Sequence, residues 1–417
     1  MPSPAAPGLA VLRPVAPILI GAAVMLTFVM GLRQSLGLFV QPAVRDLSLA
    51  VADFTLAIAI QNLAWGVLQP VAGAWAGRYG FRPVMTGGAI AFVLGLVVLA
   101  TATGFAAVVI GAGLLIGLAL ACCSSGLAMA VASRPVPVAV RSTVLGLVSA
   151  VGSLGAMISA PIGQALAQSF GWRTGVFGFV VIALLVLPAA WIAGRVDRVA
   201  IAPSTGAASR AGTARDAVAI ALRHRPFLVM SFAYCVCGLQ LVFLTTHLPS
   251  YIAFCGMDPM LGAQALAAIG AFNIAGSLFW GWAGGRWSKA ALLGLLYISR
   301  SLVLAWYFGT APTPGSTLVF ASLMGFLWMG VSPLISGLVA EMFGLRWQAT
   351  IQGVAFTSHQ LGSALGAFGG GWLFDAFGNY TLAWQIGVGM GLAMGTVQLI
   401  SGLGRRPPPP AVPAPAG

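Results

Sequence analysis

Apolar runs of about 20 residues recur along the whole chain, and each is long enough to cross roughly 30 Å of hydrocarbon as a helix. Twelve are expected, over 14–40, 54–76, 83–102, 105–132, 140–168, 173–194, 226–253, 262–284, 289–309, 317–340, 350–376 and 381–403. In lipid every backbone N–H and C=O needs a partner within the protein, so runs of this length read as membrane-spanning helices and the fold class as all-α integral membrane. Composition supports this: 59% of 417 residues are hydrophobic and 6% charged, too few to cover a water-soluble domain of this size. The first run has no small-residue cleavage site after a short apolar core and reads as a retained signal-anchor.

Basic residues fix an orientation. With the N-terminus inside, the cytoplasmic side holds sixteen of the twenty: Arg13, Arg78, Arg82, Arg134, Arg141, Arg195, Arg198, Arg210, Arg215, Arg223, Arg225, Arg286, Lys289, Arg346, Arg405 and Arg406. The outer side keeps Arg45 and Arg173. This positive-inside bias predicts a multi-pass protein of a bacterial inner membrane with both termini cytoplasmic. It also accounts for the net charge of +13 without nucleic acid, because the charges lie in short loops against anionic lipid headgroups. No cofactor or metal is expected. The five cysteines read as small packing residues, Cys235-Val236-Cys237 has no histidine or carboxylate nearby, and no G-x-x-x-x-G-K loop is present. The tail 405–417 is proline-rich and reads as disordered.

The chain repeats itself. A shift of 207 residues superposes Gly31-Leu32 on Gly238-Leu239, Gly146 on Gly353, Gly155 on Gly362, Gly163 on Gly370 and Phe170-Gly171 on Phe377-Gly378; one residue more brings Gly73 and Arg78 onto Gly281 and Arg286. Two six-helix bundles of the same orientation follow, 1–195 and 223–404, joined by a cytoplasmic linker over 196–222. Parallel halves of this kind point to a transporter.

The loop "GAWAGRYGFRP" (73–83) resembles the G-x-x-x-D-R-x-G-R-R signature of the major facilitator superfamily, and "GWAGGRWSKA" (281–290) is its worn second copy. Gly73, Arg78, Gly80 and Arg82 match and are taken as the conformational motif; Gly77 stands where the family has an acidic residue. The resemblance implies twelve helices in two pseudo-symmetric bundles, monomeric action and secondary transport of a small molecule. A weaker one links "GSLGAMISAPIGQ" (152–164) to antiporters of the superfamily.

Charges inside the membrane narrow the substrate. Arg33 lies near the middle of the first run, beside Gln34, and Arg300 lies at the midpoint of the ninth. A buried arginine costs about 2.5–3.5 kcal/mol on insertion scales, so each should face protein or water and have a partner. All seven acidic residues fall in loops or near span ends. Two intramembrane arginines without carboxylates form a site to which the substrate itself brings the negative charge. Gln61 and Asn62 of the second run, Tyr234 and Gln240 of the seventh, Asn273 of the eighth, and His359 and Gln360 of the eleventh complete the candidate substrate site. Helix-to-helix hydrogen bonding is the competing reading of such amides. His359, able to exchange protons near neutral pH, is the candidate for proton coupling.

These features resemble the monocarboxylate and oxalate:formate branch of the superfamily, which pairs an apolar cavity with a buried arginine. There the arginine lies in the eighth span, where this chain has Asn273 and Ser277. The expectation is a secondary carrier of small organic anions, with membrane lipids as its surroundings. The alternative is a proton-driven exporter of hydrophobic compounds. An enzyme is not expected, because no nucleophile–base pair or metal ligand set falls at one depth.

Overall fold

All twelve runs are helical in the computed structural model, which describes residues 9–49, 51–200, 206–208 and 210–403. The helices are α1 (Leu12–Phe39), α2 (Asp53–Tyr79), α3 (Phe81–Ala100), α4 (Phe105–Ser133), α5 (Val138–Phe170), α6 (Trp172–Arg198), α7 (Arg225–Phe254), α8 (Pro259–Gly284), α9 (Lys289–Gly309), α10 (Pro314–Phe343), α11 (Gln348–Phe377) and α12 (Thr381–Leu403). All but α11 contain a stretch long and apolar enough to cross a bilayer by composition alone. The polar stripe of α11, built on glutamines, His359 and small residues, lowers its hydropathy while its length of 30 residues is more than sufficient.

The repeat is a packing requirement. Helix α1 crosses α5 with Gly31 against Gly155, and α7 crosses α11 with Gly238 against the His359 backbone and Gly362 against Cys235. A Cβ at any of these four glycines would strike backbone atoms of the neighbouring helix, so the two halves retain glycine at equivalent positions. The α9–α12 pair mirrors the packing of α3 on α6.

The two most extensive contacts between the halves, α2 with α11 and α5 with α8, also exchange under the repeat, and α4 meets α10 and α11 beside them. Gly73 lies against Ala349 and Thr350, Gly353 against Pro70, and Gly146 against Gly281. Hydrogen bonds follow the same lines: Gln348 Nε2 donates to Ser133 Oγ at 3.1 Å, Thr357 Oγ1 to Gly66 O at 2.8 Å, and Ser149 and Ser277 meet at 3.3 Å. All of these lie in the half of the molecule nearest the arginine-rich loops. Farther along the same helix faces the bundles part, leaving Thr55 and Ala59 on α2, Met157 on α5, Leu266 on α8 and Phe368 on α11 exposed. The molecule is closed at its arginine-rich side and open at the other.

The loop motif is held from an unexpected direction. Gly80 turns the chain with φ of +96°, a value that favours glycine, and Asp197 at the end of α6 accepts hydrogen bonds from the Phe81 and Arg82 backbone N–H groups at 2.8 and 2.9 Å. A carboxylate at a helix N-terminus satisfies both orphan donors and the dipole. Part of the linker is ordered as well. Ala214–Arg223 is a helix with a Thr213/Asp216 capping box, and Ala207 N donates to Met342 O at 2.9 Å, fixing the linker to the second bundle. The expected tail, 405–417, lies outside the described residues.

Candidate functional site

Helix α1 loosens where its sequence turns polar. After Ser35 it tightens into a 3-10 turn over Leu36–Phe39 before resuming as α-helix, so Arg33 sits in the last regular turn. Irregular turns of this kind mark hinges and sites. The half-buried Arg33 side chain leaves α1 towards α2, where Nε donates to Gln61 Oε1 at 3.2 Å and Nη2 to Asn62 Oδ1 at 2.5 Å. Its guanidinium lies 5.0 Å above the centre of the Trp65 ring, a cation–π contact. Gln61 is anchored in turn by donation to Ala112 O at 2.6 Å, and Trp65 by donation to Gln69 and Ser124 at 2.7 and 2.9 Å. Every one of these partners is neutral.

From Arg33 the network crosses between the bundles. Gln360 Nε2 on α11 donates to Asn62 O at 3.1 Å, and Gln360 Oε1 lies 3.3 Å from His359 Nδ1. The His359 ring is 4.5 Å from the Tyr234 ring and stacks on Phe356 at 5.5 Å, while Phe356 is 4.7 Å from Trp65. Amides thus hold the cation, Trp65 of α2 covers it, and Phe356 and His359 of α11 and Tyr234 of α7 extend the chain of rings across the interface.

Arg300 occupies a different setting. It is 1% exposed inside the second bundle, with Nε donating to Gln240 Oε1 at 3.0 Å and Nη1 to Cys237 Sγ at 3.3 Å. Gln240 is held by donation to Ser301 Oγ and Gly387 O at 2.9 and 2.8 Å. Arg300 Nη2 and the neighbouring Tyr297 hydroxyl are buried and have no hydrogen-bond partner. Among the described residues neither intramembrane arginine meets a carboxylate; the ion pairs are Arg173–Asp46 and Lys289–Glu341, in loops and at helix ends.

The structure therefore brings together Arg33, Gln61, Asn62, Tyr234, His359 and Gln360 at the bundle interface, and Gln240 with Arg300 behind it. Gln34 is exposed beside Arg33. Asn273 lies one turn beyond Ser277 on α8, its Oδ1 buried and unpaired. Three participants escaped the sequence reading: Trp65, Phe356 and Cys237. Trp65 sits three residues from Asn62 and Phe356 three from His359, on the same helix faces as the polar stripes, and that spacing was the available signal.

The family model described as Major Facilitator Superfamily matches residues 22–367. Monocarboxylate transporter 13 of Bos taurus is 26% identical over 357 residues, 84% of this chain and 78% of that protein. The uncharacterized MFS-type transporter YcxA of Bacillus subtilis (strain 168) is 24% identical over 374 residues, 84% of this chain and 86% of its own length. In fold, the E. coli fucose:proton symporter FucP superposes with a TM-score of 0.70 at 16% identity, covering 93% of this chain and 99% of that one. Two glycine-matched bundles, interlocked at one side and parted at the other around an amide-held arginine, are thus the framework of a membrane transporter and not of an enzyme, and the chain belongs to the major facilitator superfamily.

Proposed function

We propose that the protein is a secondary carrier for small monocarboxylate-like anions, with Arg33 receiving the substrate carboxylate between the bundles. The observation that carries this reading is the company Arg33 keeps. At the junction of the two halves it meets only amide oxygens and a ring face, so its charge awaits a counter-charge. A planar guanidinium suits a carboxylate, and the rings of Trp65, Tyr234 and Phe356 suit a short apolar body attached to it. The likeness to a protein named monocarboxylate transporter supports the class. Transport proceeds by rocking of residues 1–195 against 223–404, in a monomer of the inner membrane. By the positive-inside count the arginine-rich side is cytoplasmic, so the arrangement described above faces outward.

His359 is assigned the coupling proton. Its Nδ1 contacts Gln360, and Gln360 holds the backbone of the residue that binds Arg33, so a carboxylate at Arg33 and a proton at His359 act on one network. A carboxylate at Arg33 changes the charge that His359 meets through this network, which ties proton uptake to substrate uptake.

Uptake of radiolabelled lactate, pyruvate and acetate into proteoliposomes tests the reading. Saturable uptake is expected, with Arg33→Gln lowering kcat/KM at least about tenfold, the equivalent of roughly 1.4 kcal/mol, and Arg33→Lys losing less. Uptake should rise as external pH falls, and His359→Gln should remove that dependence. Unchanged carboxylate uptake in Arg33→Gln would sink the anion reading. Efflux of an uncharged hydrophobic dye that ignores Arg33→Gln would favour the exporter.

A further inference from the structure

Away from the bundle interface, on the opposite side of α2 from Gly73 and Gly77, the protein carries a groove of about 430 Å³. Trp75 and Tyr79 of α2, Pro83, Val84, Gly87 and Gly88 of α3, and Leu118 and Cys122 of α4 line it. It starts at the arginine-rich end and runs inward over about 10 Å, seven residues of α3 from Phe81 at 1.5 Å each. Two adjacent glycines make it deep, for different reasons. A Cβ at Gly88 would collide with Cys122, so that glycine lets α3 approach α4, whereas a Cβ at Gly87 would meet nothing within 4 Å. The walls are apolar, and the groove opens on the surface that faces lipid.

Its mouth is strongly basic. Arg78 lies 5.2 Å over the ring of Tyr79, itself a lining residue, and Arg82 adjoins Pro83 with its guanidinium 4.5 Å over Trp191. Arg134, at the end of α4, is near enough to Asp197 to feel its charge. The Nε atoms of Arg82 and Arg134 are buried and have no hydrogen-bond partner. Asp197, the acidic residue at this mouth, turns both oxygens to the backbone N–H groups of α3. Arg82 is turned towards α6 and Asp197 is already engaged, so Arg78, beside the lining ring of Tyr79, is left without a carboxylate partner among the described residues.

We propose that this groove holds one acyl chain of an anionic glycerophospholipid, whose phosphodiester is met by Arg78 at its mouth. An apolar channel a few residues deep below a cluster of cations matches one lipid tail joined to one phosphate. A soluble anion would leave the channel empty, and a zwitterionic lipid would bring its own cation to a site already crowded with them. The bound chain braces the back of α2, whose front carries the Gly73 contact that closes the arginine-rich side. This assignment is independent of the transported substrate.

The test uses the full chain in detergent, with thermal unfolding and native mass spectrometry as readouts. Phosphatidylglycerol, phosphatidylcholine with the same acyl chains, and glycerophosphoglycerol without chains are added separately. Phosphatidylglycerol is expected to raise Tm by about 3 °C or more beyond phosphatidylcholine and to remain as a single adduct. Gly87→Leu puts a side chain into the groove from a position where an added Cβ meets nothing within 4 Å, and should abolish both the excess shift and the adduct. Arg78→Gln, on the surface, should retain a lipid adduct but lose the preference for phosphatidylglycerol. Equal shifts with both lipids mean ordinary surrounding lipid and overturn the proposal. So does a shift reproduced by glycerophosphoglycerol alone, or an adduct that survives in Gly87→Leu.

Discussion

Arg300 is a full charge at membrane depth with one guanidinium nitrogen unpaired and no carboxylate among the described residues. Such a group destabilises the fold that contains it, because its desolvation is only partly offset by bonds to Gln240 and Cys237. Arg300→Met, close in volume and free of charge, is accordingly expected to unfold at the same temperature as the parent or higher. Thermal unfolding in detergent checks this, and a loss of more than a few degrees would show that the arginine holds α7 to α9 after all. Both arginines were legible at their depths by counting along the runs, since a charge among apolar residues cannot be hidden. Their partners were only half legible. Gln61 and Asn62 form part of a polar stripe and were named, while Trp65 reads as one more apolar residue until α1 is laid beside α2. Asp197, one of the acidic residues placed in loops or near span ends, caps α3, a role that depends on where α6 ends in space.

Gly77 replaces an acidic residue in the α2–α3 motif, and the helices show what stands in its place. The edge of the Trp347 ring, from the start of α11, occupies the notch, so that a Cβ at Gly77 would come within 2.7 Å of it. Trp347 Nε1 donates to Ala211 O of the linker at 3.1 Å. An aromatic plug tied to the linker thus joins the bundles at this corner. Gly77→Leu should expel the ring, and spin labels across the arginine-rich side should then report longer and broader distances. An unchanged distance distribution in Gly77→Leu would mean that the ring is incidental to closure. Helix number and approximate bounds were readable because lipid imposes one length on every crossing. The interruptions were not read: α4 breaks at Ser124, within the Ser124-Ser125-Gly126 step of its run, and α10 at Met329–Gly330. Such breaks answer to neighbouring helices and leave no trace in hydropathy.

For the molecule as a whole, the interlocked half must open if the protein is to transport. Ser149 and Ser277 face each other across α5 and α8 with hydroxyls 3.3 Å apart. Converted together to cysteine in a background without the native thiols, they should oxidise to a disulfide that abolishes uptake and is relieved by reductant. Undiminished uptake by the cross-linked form would exclude rocking at this seam. Labelling from either side of the membrane tests orientation: Arg13→Cys and Arg210→Cys should react from the cytoplasm and Arg45→Cys from outside. The two-bundle plan was legible in full from the 207-residue offset, because glycines at backbone crossings tolerate no replacement and so keep register across the halves. Direction of opening was not legible, since both faces of a bundle must be able to meet. The amide setting of Arg33 carries one more consequence. Ligands of zero charge leave the empty carrier one unit more positive at the interface than a carrier loaded with a carboxylate. Reorientation of the empty form then moves that charge through part of the electric field, at up to about 2.3 kcal/mol per 100 mV for a full crossing, and the loaded form moves the same single charge once a proton on His359 accompanies the carboxylate. An inside-negative voltage would therefore bias the empty and the loaded carrier alike towards the cytoplasm-facing form, so that it changes the pace of the two strokes while the cycle of one carboxylate and one proton stays electroneutral.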